Sequence, residues 1–63
     1  MNTDTIKFYT IKFINGTKYL SKSQINDLQH IICTNLSLDK TSENFKIIED
    51  AIEIYFKTQI TLS

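Results

Sequence analysis

Apolar and polar residues alternate at both ends of this chain, whereas the middle follows a spacing of three and four. The segment Thr5–Phe13 contains Thr-Ile-Lys-Phe twice, in copies five residues apart. Because the side chains of a β-strand point to two faces in turn, the first copy places Ile6 and Phe8 on one face and the second copy uses the other face. This repeat predicts either a bulge near Tyr9 or a strand that is buried on both faces.

Asn15-Gly16 predicts a β-hairpin. A two-residue type I′ turn needs a positive φ at both central positions, and Asn-Gly adopts these values readily. The turn would pair Ile14 with Thr17. It would also place Ile14 and Tyr19 on one face of the hairpin, opposite the face that carries Ile11, Phe13 and Leu20.

A helix follows the predicted hairpin. Ser21 and Gln24 match a capping box, in which each side chain accepts a hydrogen bond from the other residue's backbone N–H. A helix from about Lys22 to Asn35 is predicted, because apolar residues then recur at steps of three and four, at Ile25, Leu28, Ile32 and Leu36.

The last third of the chain fits two structures. As a strand, it alternates cleanly, and a turn at Asp50-Ala51 would pair it with another strand. As a helix from about Ser42, it carries an apolar stripe formed by Phe45, Ile48, Ala51, Ile52 and Tyr55. We prefer the strand, because it alone gives Ile60 and Leu62 a place on an apolar face.

These elements predict an α+β fold with the order ββαββ, in a single domain spanning residues 1–63. An antiparallel sheet of about four strands would carry one helix on one face. The uncovered face would expose an apolar patch, which predicts a homodimer because a chain this short buries a small core by itself. The self-association residues would be Ile6, Phe8, Ile14 and Tyr19.

Charge and composition narrow the classes of partner. Seven lysines balance seven acids, and arginine, the usual reader of guanine and phosphate, is absent, so nucleic acid is possible but disfavoured. No apolar run approaches a membrane span, and no signal peptide is recognisable, which predicts no membrane association and a location in the cytoplasm of a bacterial host. A lone cysteine and a lone histidine predict neither a disulfide nor a metal site.

The residues that could carry chemistry do not form a complete set. His30 and Cys33 lie three apart on the predicted helix, and we interpret them as a surface residue and a small core residue. Catalysis by paired carboxylates needs a pocket that raises one pKa, and a 63-residue chain with one glycine offers little concavity for this. We therefore predict no enzymatic activity and no cofactor.

Two patches are predicted to bind a partner protein. The aromatic side chains of Phe8, Tyr9 and Tyr19 are of the type that carries much of the binding energy at interfaces. The second patch is acidic and could imitate phosphate charge at a nucleic-acid groove of another protein. It consists of Glu49, Asp50 and Glu53.

In the helical alternative, the chain resembles ribbon-helix-helix proteins, which are dimeric DNA-binding transcriptional regulators. The resembling parts are a strand Thr5 to Phe13, a helix from Ser21, and the sequence FKIIEDAIEIYF, whose residues Ala51 to Tyr55 are similar to the family's second helix. The resemblance implies that the strand enters the DNA major groove. The base-reading residues would then be Lys7, Tyr9 and Lys12.

The size and composition resemble a second class, the small accessory proteins of phages and mobile elements, which include anti-CRISPR inhibitors of host defence. Ile, Lys and Asn make up 23 of the 63 residues, a bias typical of genomes rich in A and T. This resemblance implies a cofactor-free protein that inhibits or modulates a host protein, such as a defence nuclease, by occupying its surface.

Overall fold

The computed structural model describes residues 2–62, and the side chains of residues 2–59. It contains three α-helices, α1 (Thr3–Ile14), α2 (Lys22–Asn35) and α3 (Ser42–Leu62). No strand occurs within residues 2–62, so the predicted α+β fold with its ββαββ order and four-stranded sheet is wrong. The described part of the chain is entirely helix and short connections.

Helix α1 replaces the predicted first strand. The side chain of Asn2 caps it by accepting a hydrogen bond from the backbone N–H of Thr5 at 2.8 Å. Asp4 in the first turn and Lys12 in the last turn have the charges that the helix dipole favours. The face that enters the core repeats every four residues and consists of Ile6, Thr10 and Ile14.

The helix also explains the repeated tetrapeptide. An offset of five residues rotates the second copy by about 140° around a helix axis, so equivalent residues point in different directions. Both phenylalanines are exposed, Phe8 to 71% and Phe13 to 45%. The segment therefore contains neither a bulge near Tyr9 nor a strand with two buried faces.

Helix α2 has the predicted bounds. Ser21 Oγ accepts a hydrogen bond from Gln24 N at 3.2 Å, and Gln24 Oε1 accepts one from Ser21 N at 2.8 Å, which confirms the capping box. The buried residues of α2 include Ile32 and Cys33, as expected for a helix with one core face.

Helix α3 follows the alternative that we did not prefer. It begins at Ser42, where Thr41 Oγ1 accepts a hydrogen bond from Asn44 N at 3.2 Å. The predicted turn at Asp50-Ala51 lies in the middle of this helix. Four residues at helical spacing are buried, namely Ile48, Ala51, Ile52 and Tyr55. The backbone of Ile60 and Leu62 belongs to α3, and their side chains lie outside the described residues.

Helix α3 is the centre of the molecule. Helices α1 and α2 each pack against it, and they contact each other only slightly. Between α2 and α3, the buried Gln29 side chain donates a hydrogen bond from Nε2 to the carbonyl oxygen of Phe45 at 3.1 Å. One cluster joins the three helices, and it consists of Ile6, Ile14, Ile32, Cys33, Ile48, Ile52 and Tyr55.

Candidate functional site

An open apolar groove runs between the α1–α2 connection and the C-terminal half of α3. Its volume is about 760 Å³, within the range of about 300–1,000 Å³ that ligand pockets occupy. We call it the linker groove. It is lined by Gly16, Thr17, Lys18, Tyr19, Leu20, Ile25, Tyr55, Phe56 and Gln59.

A tight turn after α1 forms one end of the linker groove. Thr17 N donates a hydrogen bond to Ile14 O at 2.9 Å, so a turn forms at Asn15-Gly16, but the predicted β-hairpin is wrong because no strand flanks this turn within residues 2–62. Its dihedral angles differ from the prediction. Asn15 has φ −55° and ψ 130°, and Gly16 has φ +90°, which matches a type II turn with glycine at its third position. The chain therefore leaves α1 in an irregular connection instead of returning as a strand.

Tyr55 fixes this turn to α3. Gly16 N donates a hydrogen bond to Tyr55 Oη at 2.8 Å, across 39 positions of sequence. The ring of Tyr55 is 7% exposed and belongs to the core, while its hydroxyl reaches the turn. Its neighbour Phe56 packs edge-on, with the ring centroids 5.3 Å apart. Both rings line the groove.

The start of α2 forms the opposite wall. Leu20 precedes the capping residue Ser21, and Ile25 is the fourth residue of the helix. These are the two positions of a hydrophobic staple, in which apolar residues on either side of a helix cap hold the entering chain. Leu20 and Ile25 are half-buried, pack against the core and line the groove. The site analysis of the sequence missed both, although the staple spacing beside the capping box could have indicated them.

The chemistry of the linker groove is that of a binding surface for apolar groups. Its walls are the aliphatic and aromatic side chains of Leu20, Ile25 and Phe56. Tyr19 stands at the rim and is 76% exposed. Lys18 is the one charged residue of the lining within the part of the chain that the structure describes. An apolar group with a nearby negative charge would complement this arrangement.

The predicted aromatic patch is not one surface. Tyr19 lies at the linker groove, whereas Phe8 lies on the outer face of α1. Tyr9 is half-buried, and its hydroxyl accepts a hydrogen bond from Asn35 Nδ2 of α2 at 3.2 Å. Of the three residues predicted to act together, Tyr19 alone lines the groove.

The predicted acidic patch lies on the outer side of α3. Asp50 pairs with Lys46 at 3.7 Å, and Glu53 pairs with Lys57 at 3.3 Å. Glu49 is exposed on the same helix. Exposed ion pairs of this kind contribute little stability, about 0–1 kcal/mol each. The pairs reduce the negative charge that this patch presents.

The self-association patch was placed on a sheet that does not form. Ile6 and Ile14 are each 2% exposed and belong to the protein's own core, so they cannot line an exposed surface. Phe8 and Tyr19 are exposed, on different elements. Homodimer formation stays a prediction, and the sheet face that would support it is absent from residues 2–62.

The residues considered for chemistry occupy ordinary positions. His30 is exposed, with its ring 5.0 Å from that of Phe45, and Cys33 is fully buried. Burial raises the pKa of the Cys33 thiol, and the positive charge of Lys40 opposes this rise more weakly. Across residues 2–62, no three His, Cys, Asp or Glu side chains come close enough together to hold a metal ion.

The residues that the ribbon-helix-helix resemblance makes base readers lie on a helix. Lys7, Tyr9 and Lys12 belong to α1, where the resemblance implies a strand. Helices α2 and α3 are present at the expected places, since α3 contains Ala51 to Tyr55.

Comparisons with protein-family models, curated proteins and solved structures found no match to this chain. No helix within residues 2–62 combines the length and the apolar character that crossing a membrane requires.

Proposed function

We propose that this chain is a non-catalytic protein-binding module and that the linker groove receives an apolar segment of its partner. The observation that carries the proposal is the groove itself, about 760 Å³ in volume, with aliphatic and aromatic walls and Tyr19 76% exposed at its rim. Exposed apolar surface of this kind on a small protein marks interaction sites.

The groove suits one mode of recognition in particular. Amphipathic helices bind proteins by laying their apolar side chains into a groove between other helices. The linker groove lies between the start of α2 and the end of α3, and Lys18 supplies a positive charge beside the apolar walls. A partner segment with apolar anchors and a flanking carboxylate complements these features.

The biological setting of the proposal comes from the sequence. The resemblance to accessory proteins of phages and mobile elements implies a protein that acts by occupying the surface of a host protein, such as a defence nuclease. This mode of action needs no cofactor and no catalytic group. The exposed acids of α3, among them Glu49, would form a second contact if the partner carries a basic surface.

Photo-crosslinking tests the proposal. One version of the 63-residue chain carries a light-activated phenylalanine analogue in place of Tyr19, and a second carries it in place of Phe8. These positions are a matched pair, because their side chains are 76% and 71% exposed and only Tyr19 lines the groove. Both versions are expressed in a bacterial host with an A- and T-rich genome. We expect one host protein to crosslink at position 19 and not at position 8.

A competition experiment makes the result specific. Excess unlabelled protein should abolish the adduct at position 19, and excess Tyr19→Ala protein should compete much less well. Equal adducts at positions 8 and 19, or an adduct that the unlabelled protein does not reduce, would contradict the proposed groove function. Salt-sensitive gel shifts of DNA without any protein adduct would favour the DNA-binding regulator instead.

A further inference from the structure

The turn beside the linker groove contains the dipeptide Asn15-Gly16, which can deamidate without an enzyme. Asn15 is exposed, and the residue after it is glycine, whose backbone nitrogen is not shielded by a side chain. The Gly16 nitrogen can attack Cγ of the Asn15 side chain. A carbon–nitrogen bond forms, the backbone N–H proton passes to a base in solution, and the side-chain nitrogen leaves as ammonia. Water then opens the resulting succinimide ring to give aspartate or isoaspartate.

The native turn restrains the attacking nitrogen. Gly16 N donates a hydrogen bond to Tyr55 Oη at 2.8 Å, and Tyr55 is 7% exposed. The nitrogen becomes a nucleophile only after a base removes its proton. A donor held in a part-buried hydrogen bond reacts slowly with base in solution, for the same reason that such donors exchange hydrogen slowly until the structure opens locally.

The native backbone also holds the two atoms apart. Ring closure requires the Cα–Cβ bond of Asn15 to eclipse the bond from its carbonyl carbon to the Gly16 nitrogen, which needs a negative ψ. Asn15 has ψ 130°. Rotation about this bond would break the turn hydrogen bond from Thr17 N to Ile14 O, which is 2.9 Å long. Both features require the turn to open before the reaction can begin.

We propose that Asn15 is a site of spontaneous deamidation whose rate is controlled by the Tyr55 hydroxyl. In the isoaspartate product, the main chain runs through the former side chain of Asn15. This adds one backbone atom and places a negative charge beside Gly16. The lengthened turn cannot keep the hydrogen bonds of both Thr17 and Gly16. Modification would therefore reshape one end of the linker groove. The reaction itself does not depend on the proposed function of the groove.

The experiment compares the unmodified 63-residue chain with two variants at neutral pH. Tyr55→Phe removes the hydroxyl, whereas Ile48→Val is a matched control that weakens the core without contacting the turn. Isoaspartate at position 15 is measured over time by peptide mapping at acidic pH, under native conditions and in denaturant. We expect the native protein to react much more slowly than the denatured protein. Tyr55→Phe should raise the native rate about fivefold, as expected for the loss of one hydrogen bond.

Each outcome decides the proposal. Equal rates for all three proteins in denaturant, with acceleration under native conditions for Tyr55→Phe alone, would support it. The proposal fails if denatured protein forms no isoaspartate at position 15, or if native and denatured protein react equally fast. It also fails if Ile48→Val accelerates the native reaction as much as Tyr55→Phe does, because global unfolding would then control the rate.

Discussion

Thr10 is a polar residue at the centre of the buried face of α1, and its hydroxyl finds a hydrogen-bond acceptor within the same helix. Thr10 is fully buried between Ile6 and Ile14, and its hydroxyl donates a hydrogen bond to Ile6 O at 2.8 Å. This arrangement satisfies the hydroxyl, but it adds a second donor to a carbonyl that already belongs to the helical hydrogen-bond series. The hydroxyl therefore avoids a penalty without supplying a bond that the fold needs.

Thr10→Val should consequently be neutral or stabilising. The substitution keeps the shape of the side chain and removes a buried hydroxyl, while Ile6 O keeps its place in the helix. We expect the free energy of unfolding, measured with urea, to change by less than about 1 kcal/mol. Thr10→Ser keeps the hydroxyl and removes a buried methyl group, and it should destabilise by about 1 kcal/mol. A larger loss for Thr10→Val than for Thr10→Ser would contradict this account.

Cys33 should make stability depend on alkaline pH. Burial raises the pKa of its thiol in the folded state, with Lys40 acting in the opposite direction. A group whose folded pKa is above its unfolded pKa stabilises the fold below the unfolded value, here about 8.5, and loses this contribution as pH rises through the folded pKa. The urea midpoint should therefore fall above about pH 8.5, and the fall should be smaller in Cys33→Ala. Parallel curves for the two proteins would refute the assignment.

At the scale of elements, the end of α2 contains an unusual residue. Ser37 has φ +56°, although glycine is the residue that adopts such values without strain. Ser37 N donates to Thr34 O at 3.2 Å and Leu38 N donates to Cys33 O at 2.8 Å. These two bonds form the Schellman motif, in which glycine usually occupies the position of Ser37. The sequence therefore lacks the usual signal for this helix end.

Ser37→Gly should stabilise the protein. Glycine relieves the cost of a positive φ, which is about 1–2 kcal/mol for a residue with a side chain, and part of this gain is lost to the greater freedom of glycine in the unfolded state. We expect a net gain of about 0.5–1 kcal/mol in the free energy of unfolding. Ser23→Gly, within α2, is the control and should destabilise by roughly the same amount. The absence of any gain for Ser37→Gly would contradict the inferred strain.

The capping box of α2 gives a second prediction at this scale. Ser21→Ala removes the acceptor of the Gln24 N–H, which is 3.2 Å away, and should cost about 1 kcal/mol. Ser23→Ala changes a serine two positions along the same helix and should be neutral or slightly stabilising, because alanine is the better helix former. Thermal unfolding monitored by circular dichroism at 222 nm separates the two. Equal losses would show that the box does not stabilise α2.

The sequence could predict α2 because its signals agree there. The capping box, the apolar stripe and the absence of strong alternation all favour a helix with the observed bounds Lys22–Asn35. In α1 and α3 the isoleucines fit both the two-residue period of a strand and the 3.6-residue period of a helix. Ile6 pairs with Phe8 in a strand and with Ile14 in a helix, and burial, which chooses between them, depends on contacts between distant helices. Abundant isoleucine made the alternation look more specific than it was.

At the scale of the whole molecule, two isoleucines of α3 differ sharply. Ile48 is fully buried among all three helices, whereas Ile54 is 46% exposed. Ile48→Ala should destabilise by about 2–5 kcal/mol, which approaches the whole stability of a domain this small. Ile54→Ala should cost less than about 1 kcal/mol. Urea unfolding monitored by circular dichroism tests the pair, and comparable losses would contradict the three-helix core.

Only part of the candidate site could be predicted from the sequence. Tyr19 could be named as an exposed aromatic residue, and Asn15-Gly16 could be named as a turn. The linker groove itself depends on Tyr55 reaching the turn after α1, a contact with Gly16 that joins residues 39 positions apart. Local patterns carry no information about which distant helix supplies a wall, so Leu20, Ile25 and Phe56 were assigned to faces of a sheet or a helix and not to a site.

The central position of α3 has a consequence for synthesis of the protein on the ribosome. Helices α1 and α2 are made first, yet they contact each other only slightly, and each buries its apolar face against α3. A nascent chain that ends before α3 therefore has no core to enter. Ile6, Ile14 and Ile32 would remain accessible to chaperones until α3 leaves the exit tunnel, so folding should complete only after translation of the last helix.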